Sequence, residues 1–332
     1  MSIIVASVLF ILGLIIIIKG GDWFVEAAVW LAKVTGIPTI LIGATIVSIA
    51  TTLPELLVSV IATRQHLYGV AMGNVVGSLI CNMGLAMGLT AFFAPVVINR
   101  SNFTIKSAFM LFSAGMIFVM GSDLVISKQE GIILIFLFLV YIIMNIWEFK
   151  KGENDNKGKG RIKYDKSNAK TYIFKFIVGA VFITIGARLL VTHGVTIARY
   201  LGIPDQVVSL TMIAIGTSLP EITTAITSVI KKHQGISVGN ILGANILNIL
   251  MVLGVSTAIS SEGLIIDIQR ISFGNFVYNI PQTLYLDLPV ALTMMVILVL
   301  SGLIFGKINR AIGFLLFSIY VLYLTTLAVL FL

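Results

Sequence analysis

The chain has 332 residues, of which 58% are hydrophobic and only 11% charged, with a formal net charge of +8. Soluble domains carry roughly 25% charged residues, so an ordinary water-soluble globule is excluded. The apolar residues come in long runs rather than strict alternation, which also excludes a transmembrane β-barrel.

Apolar runs of about twenty residues are long enough to cross a bilayer as helices. Taken in order, the predicted spans cover about 3–30, 37–64, 70–93, 104–122, 131–148, 172–198, 204–231, 237–258, 285–305 and 309–331. The first run lacks a basic start and a small-residue cleavage pattern, so it reads as a retained helix rather than a signal peptide. The single cysteine, Cys81, sits inside the third span as a small packed residue and leaves no disulfide framework. Between the fifth and sixth spans lies the one long hydrophilic stretch, 150–170. It holds Lys150, Lys151, Lys157, Lys159, Arg161, Lys163, Lys166 and Lys170. No folded soluble domain accompanies this charge run, so it is read as a linker obeying the positive-inside rule rather than a nucleic-acid surface. The segment 258–285, with Asp267, Gln269 and Arg270, reads as an external loop with room for an interfacial helix.

With ten spans and the linker in the cytoplasm, that side carries 16 basic residues against 4 on the other. The expectation is a multi-pass protein of the cell membrane with both termini outside, working as a monomer in the lipid bilayer. No nucleic-acid partner, no cofactor and no enzymatic activity are expected.

The two halves repeat each other. Gly36-Ile37-Pro38 returns as Gly202-Ile203-Pro204, Thr51-Thr52-Leu53-Pro54-Glu55 as Thr217-Ser218-Leu219-Pro220-Glu221, and Gly73-Asn74 as Gly239-Asn240. Gly77, Asn82 and Gly88 return as Gly243, Asn248 and Gly254, all at an offset of 166 residues. Five spans per half is an odd number, so the second half must enter the membrane from the opposite side. The predicted fold is all-α, with ten transmembrane helices in two inverted-topology five-helix repeats. The first repeat occupies 1–149, the linker 150–170 and the second repeat 171–332.

Chemistry concentrates where the repeat is strongest. Ser48, Thr51, Thr52 and Glu55 fall at i, i+3, i+4 and i+7, which places them on one helical face. The second half offers Thr217, Ser218 and Glu221, with Ala214 at the Ser48 position. An ionised carboxylate at mid-bilayer costs several kcal/mol at least, so Glu55 and Glu221 need a cation, a proton or each other. Pro54 and Pro220 precede the acids and break the helical hydrogen-bond ladder, offering carbonyl oxygens of the kind that Na⁺ and Ca²⁺ accept. On the third span Ser78 and Asn82 share a face, between glycines that allow close helix packing. The eighth span carries Ala244 and Asn248 at those positions.

These motifs resemble the sodium/calcium exchanger family, within the wider cation/calcium exchanger superfamily. The likeness rests on Gly43-Ala44-Thr45 leading to Thr51-Thr52-Leu53-Pro54-Glu55, on Gly73-Asn74-Val75-Val76-Gly77-Ser78 with Asn82, and on the second-half counterparts. The short linker is similar to that of prokaryotic members. The resemblance implies antiport of Ca²⁺ against Na⁺ by alternating access, with helices 1 and 6 sliding across a core of helices 2, 3, 7 and 8. It also implies that Glu55 and Glu221 are the central Ca²⁺ ligands. Oxygens from Ser48, Thr51, Thr52, Ser78, Asn82, Ala214, Thr217, Ser218 and Asn248 would complete the ion sites. Two positions depart from the sodium-driven prokaryotic pattern. Ala244 lacks a serine hydroxyl, and Asn248 stands where some members have aspartate. H⁺-coupled Ca²⁺ antiport therefore stays open beside Na⁺ coupling, and a cation channel using the same acids is the reading from a different class.

Overall fold

The computed structural model describes residues 3–156, 168–200, 205–273 and 276–331. The long apolar runs become helices: α1 (Ile3–Thr35), α2 (Thr39–Arg64), α3 (Tyr68–Phe93), α4 (Arg100–Met120), α5 (Lys128–Asn156), α6 (Ala169–Tyr200), α7 (Asp205–Ile230), α8 (Gln234–Ile259), α9 (Thr283–Phe305) and α10 (Arg310–Phe331). Among the described residues nine of these are long and apolar enough to cross a membrane. The other, α7, has 26 residues and carries Pro220 in its interior. Breaks fall where backbone chemistry demands them. Gly36 takes φ 71°, in the left-handed region, and Pro38 caps the start of α2.

Helices α2, α3, α7 and α8 form the centre of the bundle. Burial follows this arrangement: 94% of the most apolar window of α8 is buried, against 22% for α1 and for α6. The outer faces expose Ile4, Val8, Ile15, Phe174 and Ile177, apolar side chains that fit lipid rather than water. Helices α1 and α6 lie against each other along their length. Their seam is glycine on glycine. A methyl on Gly20 would come within 2.9 Å of the Gly179 carbonyl, and one on Gly186 within 2.9 Å of the Gly13 carbonyl. Helix α5 packs on the end of α8 through Gly131, and α10 packs on the end of α3 through Gly88 and Gly313.

Short strands tie the loops together. β1 (Val96–Val97) pairs with β6 (Lys307–Ile308), and β2 (Val125–Ile126) with β3 (Leu264–Ile265), both antiparallel. β4 (Gln269–Phe273) and β5 (Phe276–Ile280) form a third antiparallel pair. The spanning elements are all helical, as expected, and the strands are confined to the loops. One expectation is corrected: 258–285 holds a strand pair rather than an interfacial helix. The reason is local: Ile271, Phe273, Phe276, Val277 and Tyr278 are β-branched or aromatic and favour strands. Helix α5 continues to Asn156, so the first residues of the polar stretch extend that helix before the chain passes outside the described residues. Lys157, Lys159, Arg161, Lys163 and Lys166 lie in that undescribed part.

Candidate ion site between four helices

Three of the four central helices, α2, α3 and α8, depart from regular α geometry near the site. Helix α2 begins with one α turn, Thr39–Ile42, passes through a π-helical turn, Gly43–Val47, and continues as α-helix over Ser48–Arg64 through Pro54. Helices α3 and α8 each contain a π stretch, Asn82–Met87 and Asn248–Leu253, both starting on an asparagine predicted for the site. Such bulges loosen the backbone hydrogen-bond ladder and recur at functional sites.

Close approach of α2 and α8 depends on glycine. A methyl on Gly239 would run into the Ile40 carbonyl, and one on Gly243 would come within 2.6 Å of both the Ala44 carbonyl and Ser48 Oγ. The glycines thus bring the polar faces into register across the helix pair.

Glu55 and Glu221 are both fully buried, at 0% exposure. Thr52 donates its hydroxyl to Glu221 Oε1 at 3.3 Å, which joins α2 to α7 beside both acids. Thr51 donates to Asn240 Oδ1 on α8 and to the Ser48 carbonyl, each at 3.3 Å. Asn74 on α3 donates to the Glu55 carbonyl at 3.1 Å and to Ser59 Oγ at 2.8 Å, and accepts from Thr217 at 3.0 Å. Asn82 donates to Asn245 Oδ1 at 3.2 Å, closing α3 against α8.

Many oxygens remain turned inward without a protein partner: both carboxylate oxygens of Glu55, Glu221 Oε2, Ser78 Oγ, Asn82 Oδ1, Ser218 Oγ and Asn248 Oδ1. Among the described residues no basic side chain pairs with either glutamate. Buried polar atoms are normally satisfied, and a buried unpaired charge is strongly unfavourable. An oxygen-rich, acid-bearing core of this kind suits a hard cation such as Na⁺ or Ca²⁺.

The predicted residues thus separate by how directly they meet. Hydrogen bonds join Thr52 to Glu221, Thr51 to Asn240 and the Ser48 carbonyl, and Thr217 through Asn74 to the Glu55 carbonyl. Ser78, Asn82, Ser218 and Asn248 are buried on the same four helices. Ala214 lies within α7, but its side chain falls outside the described part. Ala244 is fully buried and adds no oxygen. Two residues that tie the helices together, Asn74 and Asn240, are absent from the predicted ligand set. Their signal was present in the repeated Gly-Asn pair.

Cavities open at both ends of the bundle. One of about 550 Å³ lies between the start of α3 and helices α9 and α10 and includes His66, Tyr68, Gly73, Gly77, Asp287 and Tyr323 in its wall. The other, about 500 Å³, lies at the opposite end of α2, against Thr39, Asn99, Asn102, Lys232 and His233. Burial, then the charges of Lys33 and Lys231, hold the His233 imidazole below its usual pKa.

The profile of the family described as "Sodium/calcium exchanger protein" matches residues 5–147 and 171–329. An uncharacterized membrane protein of Methanocaldococcus jannaschii is 30% identical over 96% of each chain. "Sodium/calcium exchanger MaX1" of Methanosarcina acetivorans is 31% identical over 74% of this chain and 81% of its own. Among solved structures, the sodium-calcium exchanger NCX_Mj soaked with Na⁺ and Sr²⁺ superposes with a TM-score of 0.80 at 29% identity, over 98% of this chain and 99% of that one.

Proposed function

This chain belongs to the sodium/calcium exchanger family, and on that footing we propose that it is a secondary antiporter moving Ca²⁺ against Na⁺ through one shared site built on Glu55 and Glu221. The observation that carries the reading is the pair of fully buried acids on α2 and α7, surrounded by inward oxygens and lacking any basic partner among the described residues. Two negative charges match one divalent ion. Competition for the same carboxylates turns binding into exchange, because Ca²⁺ must leave before Na⁺ can neutralise the acids for the return. Ser48, Thr51, Thr52, Ser78, Asn82, Thr217, Ser218 and Asn248, with the Ala214 carbonyl, supply the neutral oxygens.

The halves 1–149 and 171–332 act as inverted repeats about this site, with 150–170 as the cytoplasmic linker and both termini outside. Support comes from paired packing: α5 on α8 mirrors α10 on α3, and Gly13 and Gly20 of α1 recur as Gly179 and Gly186 of α6. A seam of small residues with few interlocking side chains suits α1 and α6 to move as one body across the four-helix core. The site then faces the two sides alternately.

Proton coupling is the second reading. It draws on Ala244, which removes one neutral oxygen that Na⁺ would use, whereas the two carboxylates alone serve a proton. Purified protein in sealed liposomes decides between them. Calcium uptake is measured against an outward Na⁺ gradient, an outward H⁺ gradient and neither, with voltage clamped. Uptake driven by Na⁺ supports the proposal. Uptake driven only by H⁺ replaces it with the proton-coupled reading, and uptake with no counter-ion makes the protein a channel.

A further inference from the structure

The π turn of α2 has an outside partner. In a regular α-helix the Ser48 N–H would bond the Ala44 carbonyl. Here it turns to the carbonyls of Gly43 and Thr45 instead. The Ala44 carbonyl receives the hydroxyl of Tyr141, on α5, at 2.7 Å. Tyr141 is fully buried, and its own backbone carbonyl accepts Asn145 Nδ2 at 2.6 Å. Asn145 Oδ1 in turn accepts the buried Lys106 ammonium at 2.5 Å, and Lys106 also pairs with Glu148 at 2.7 Å. A polar strut therefore runs from α4 through α5 to the π turn of α2, ending one turn before Ser48.

The other half gives an internal comparison. Tyr141 lies ten residues after Gly131, the glycine that seats α5 on α8, and Tyr323 lies ten residues after Gly313, the glycine that seats α10 on α3. Tyr323 gives its hydroxyl to Asp287 at 3.0 Å. The stretch of α7 that matches the π turn, 209–213, is α-helical.

Resting on the antiporter reading above, we propose that Tyr141 is a positioning residue for the ion site, its hydroxyl holding the π turn that sets the rotation of Ser48 relative to the start of α2. One extra residue in a turn shifts the helix phase by roughly 100°. Ser48 shares its helical face with Thr51, Thr52 and Glu55, and its hydroxyl lies against the close approach of Gly243. Without the Tyr141 hydroxyl, the Ala44 carbonyl gains a partner only if the turn tightens to α, which moves Ser48 out of register. Tyr141 touches no ion in this scheme and acts only through the backbone.

The test is Tyr141→Phe in the full chain, which removes one oxygen from a buried ring. Two readouts are needed: Ca²⁺ concentration dependence of Na⁺-driven uptake in liposomes, and hydrogen–deuterium exchange over 43–49. The expected result is a rise of roughly three- to tenfold in half-saturating Ca²⁺, in line with the loss of one buried hydrogen bond. The maximal rate stays within about twofold, as expected when alignment of a ligand rather than the conformational step is affected. Exchange over 43–49 changes while that over 241–247 does not. Unchanged half-saturation with unchanged exchange overturns the proposal. So does a loss of maximal rate with a lower melting temperature and an unshifted half-saturation, the mark of a merely structural role. Wild-type protein that shows no ion-driven uptake fails the antiporter reading instead, and the exchange measurement then decides alone whether Tyr141 holds the turn.

Discussion

At the scale of residues, the site is a problem in unpaired charge. Glu55 and Glu221 have no basic partner among the described residues, and only Glu221 Oε1 receives a side-chain hydrogen bond, from Thr52. Replacing either acid with glutamine keeps its shape and removes the charge that a divalent ion needs. Truncating one partner of a buried charge pair costs roughly 2–5 kcal/mol, so Glu55→Gln or Glu221→Gln should lower apparent Ca²⁺ affinity by about thirtyfold to a few thousandfold. Thr52 and the backbone should keep either variant folded, and radioactive Ca²⁺ uptake with a melting curve checks both halves of that statement. Wild-type uptake in either variant would remove it from the site. The acids and their hydroxyl neighbours were legible in the sequence because charge in an apolar span is costly and the i, i+3, i+4, i+7 spacing is simple. Asn74 and Asn240 were harder, since an amide beside glycine looks like a packing device until its partners on other helices are known. Tyr141 left no trace at all, because its partner is a backbone carbonyl nearly a hundred positions away.

At the scale of elements, close crossings and open walls make different demands on glycine. Gly239 meets the backbone of α2 directly, and any Cβ there pushes the two helices apart. Gly73 holds the matching place in the first repeat, yet a Cβ there meets nothing within 4 Å and the residue lines the cavity between α3 and α10. Gly239→Ala should therefore destabilise the fold by about 1–3 kcal/mol, the usual penalty for overpacking. Gly73→Cys should fold normally and react with a membrane-impermeant thiol reagent, while the buried Cys81 stays silent. Equal melting temperatures for Gly239→Ala and wild type, or a Gly73→Cys variant that resists the reagent, would contradict this reading of the two walls. Helix positions followed from apolar run length. The π turns did not, because they depend on which side chain or neighbouring helix takes up a displaced backbone group. The strand pair at 269–280 was obscured by Asp267, Gln269 and Arg270, whose polarity suggested an interfacial helix although the residues between favour strands.

At the scale of the whole molecule, the offset of 166 residues joins sequence to mechanism. In the proposed inverted repeat, matching motifs on opposite sides of an odd number of spans give two half-sites that face each other across the bundle. The proposed sidedness rests on the bias of basic residues. A cysteine introduced within 152–160 should label only from the cytoplasm, and one near Leu332 only from outside; labelling of both from one side would break the ten-span topology. The central claim is narrower: Ca²⁺ and Na⁺ compete for one site made of two glutamates. The most direct measurement is Ca²⁺ binding to the purified protein by titration calorimetry at rising Na⁺ concentration. The account predicts Ca²⁺ binding whose apparent affinity falls steadily as Na⁺ rises, with unchanged capacity. Ca²⁺ binding indifferent to Na⁺ would contradict it.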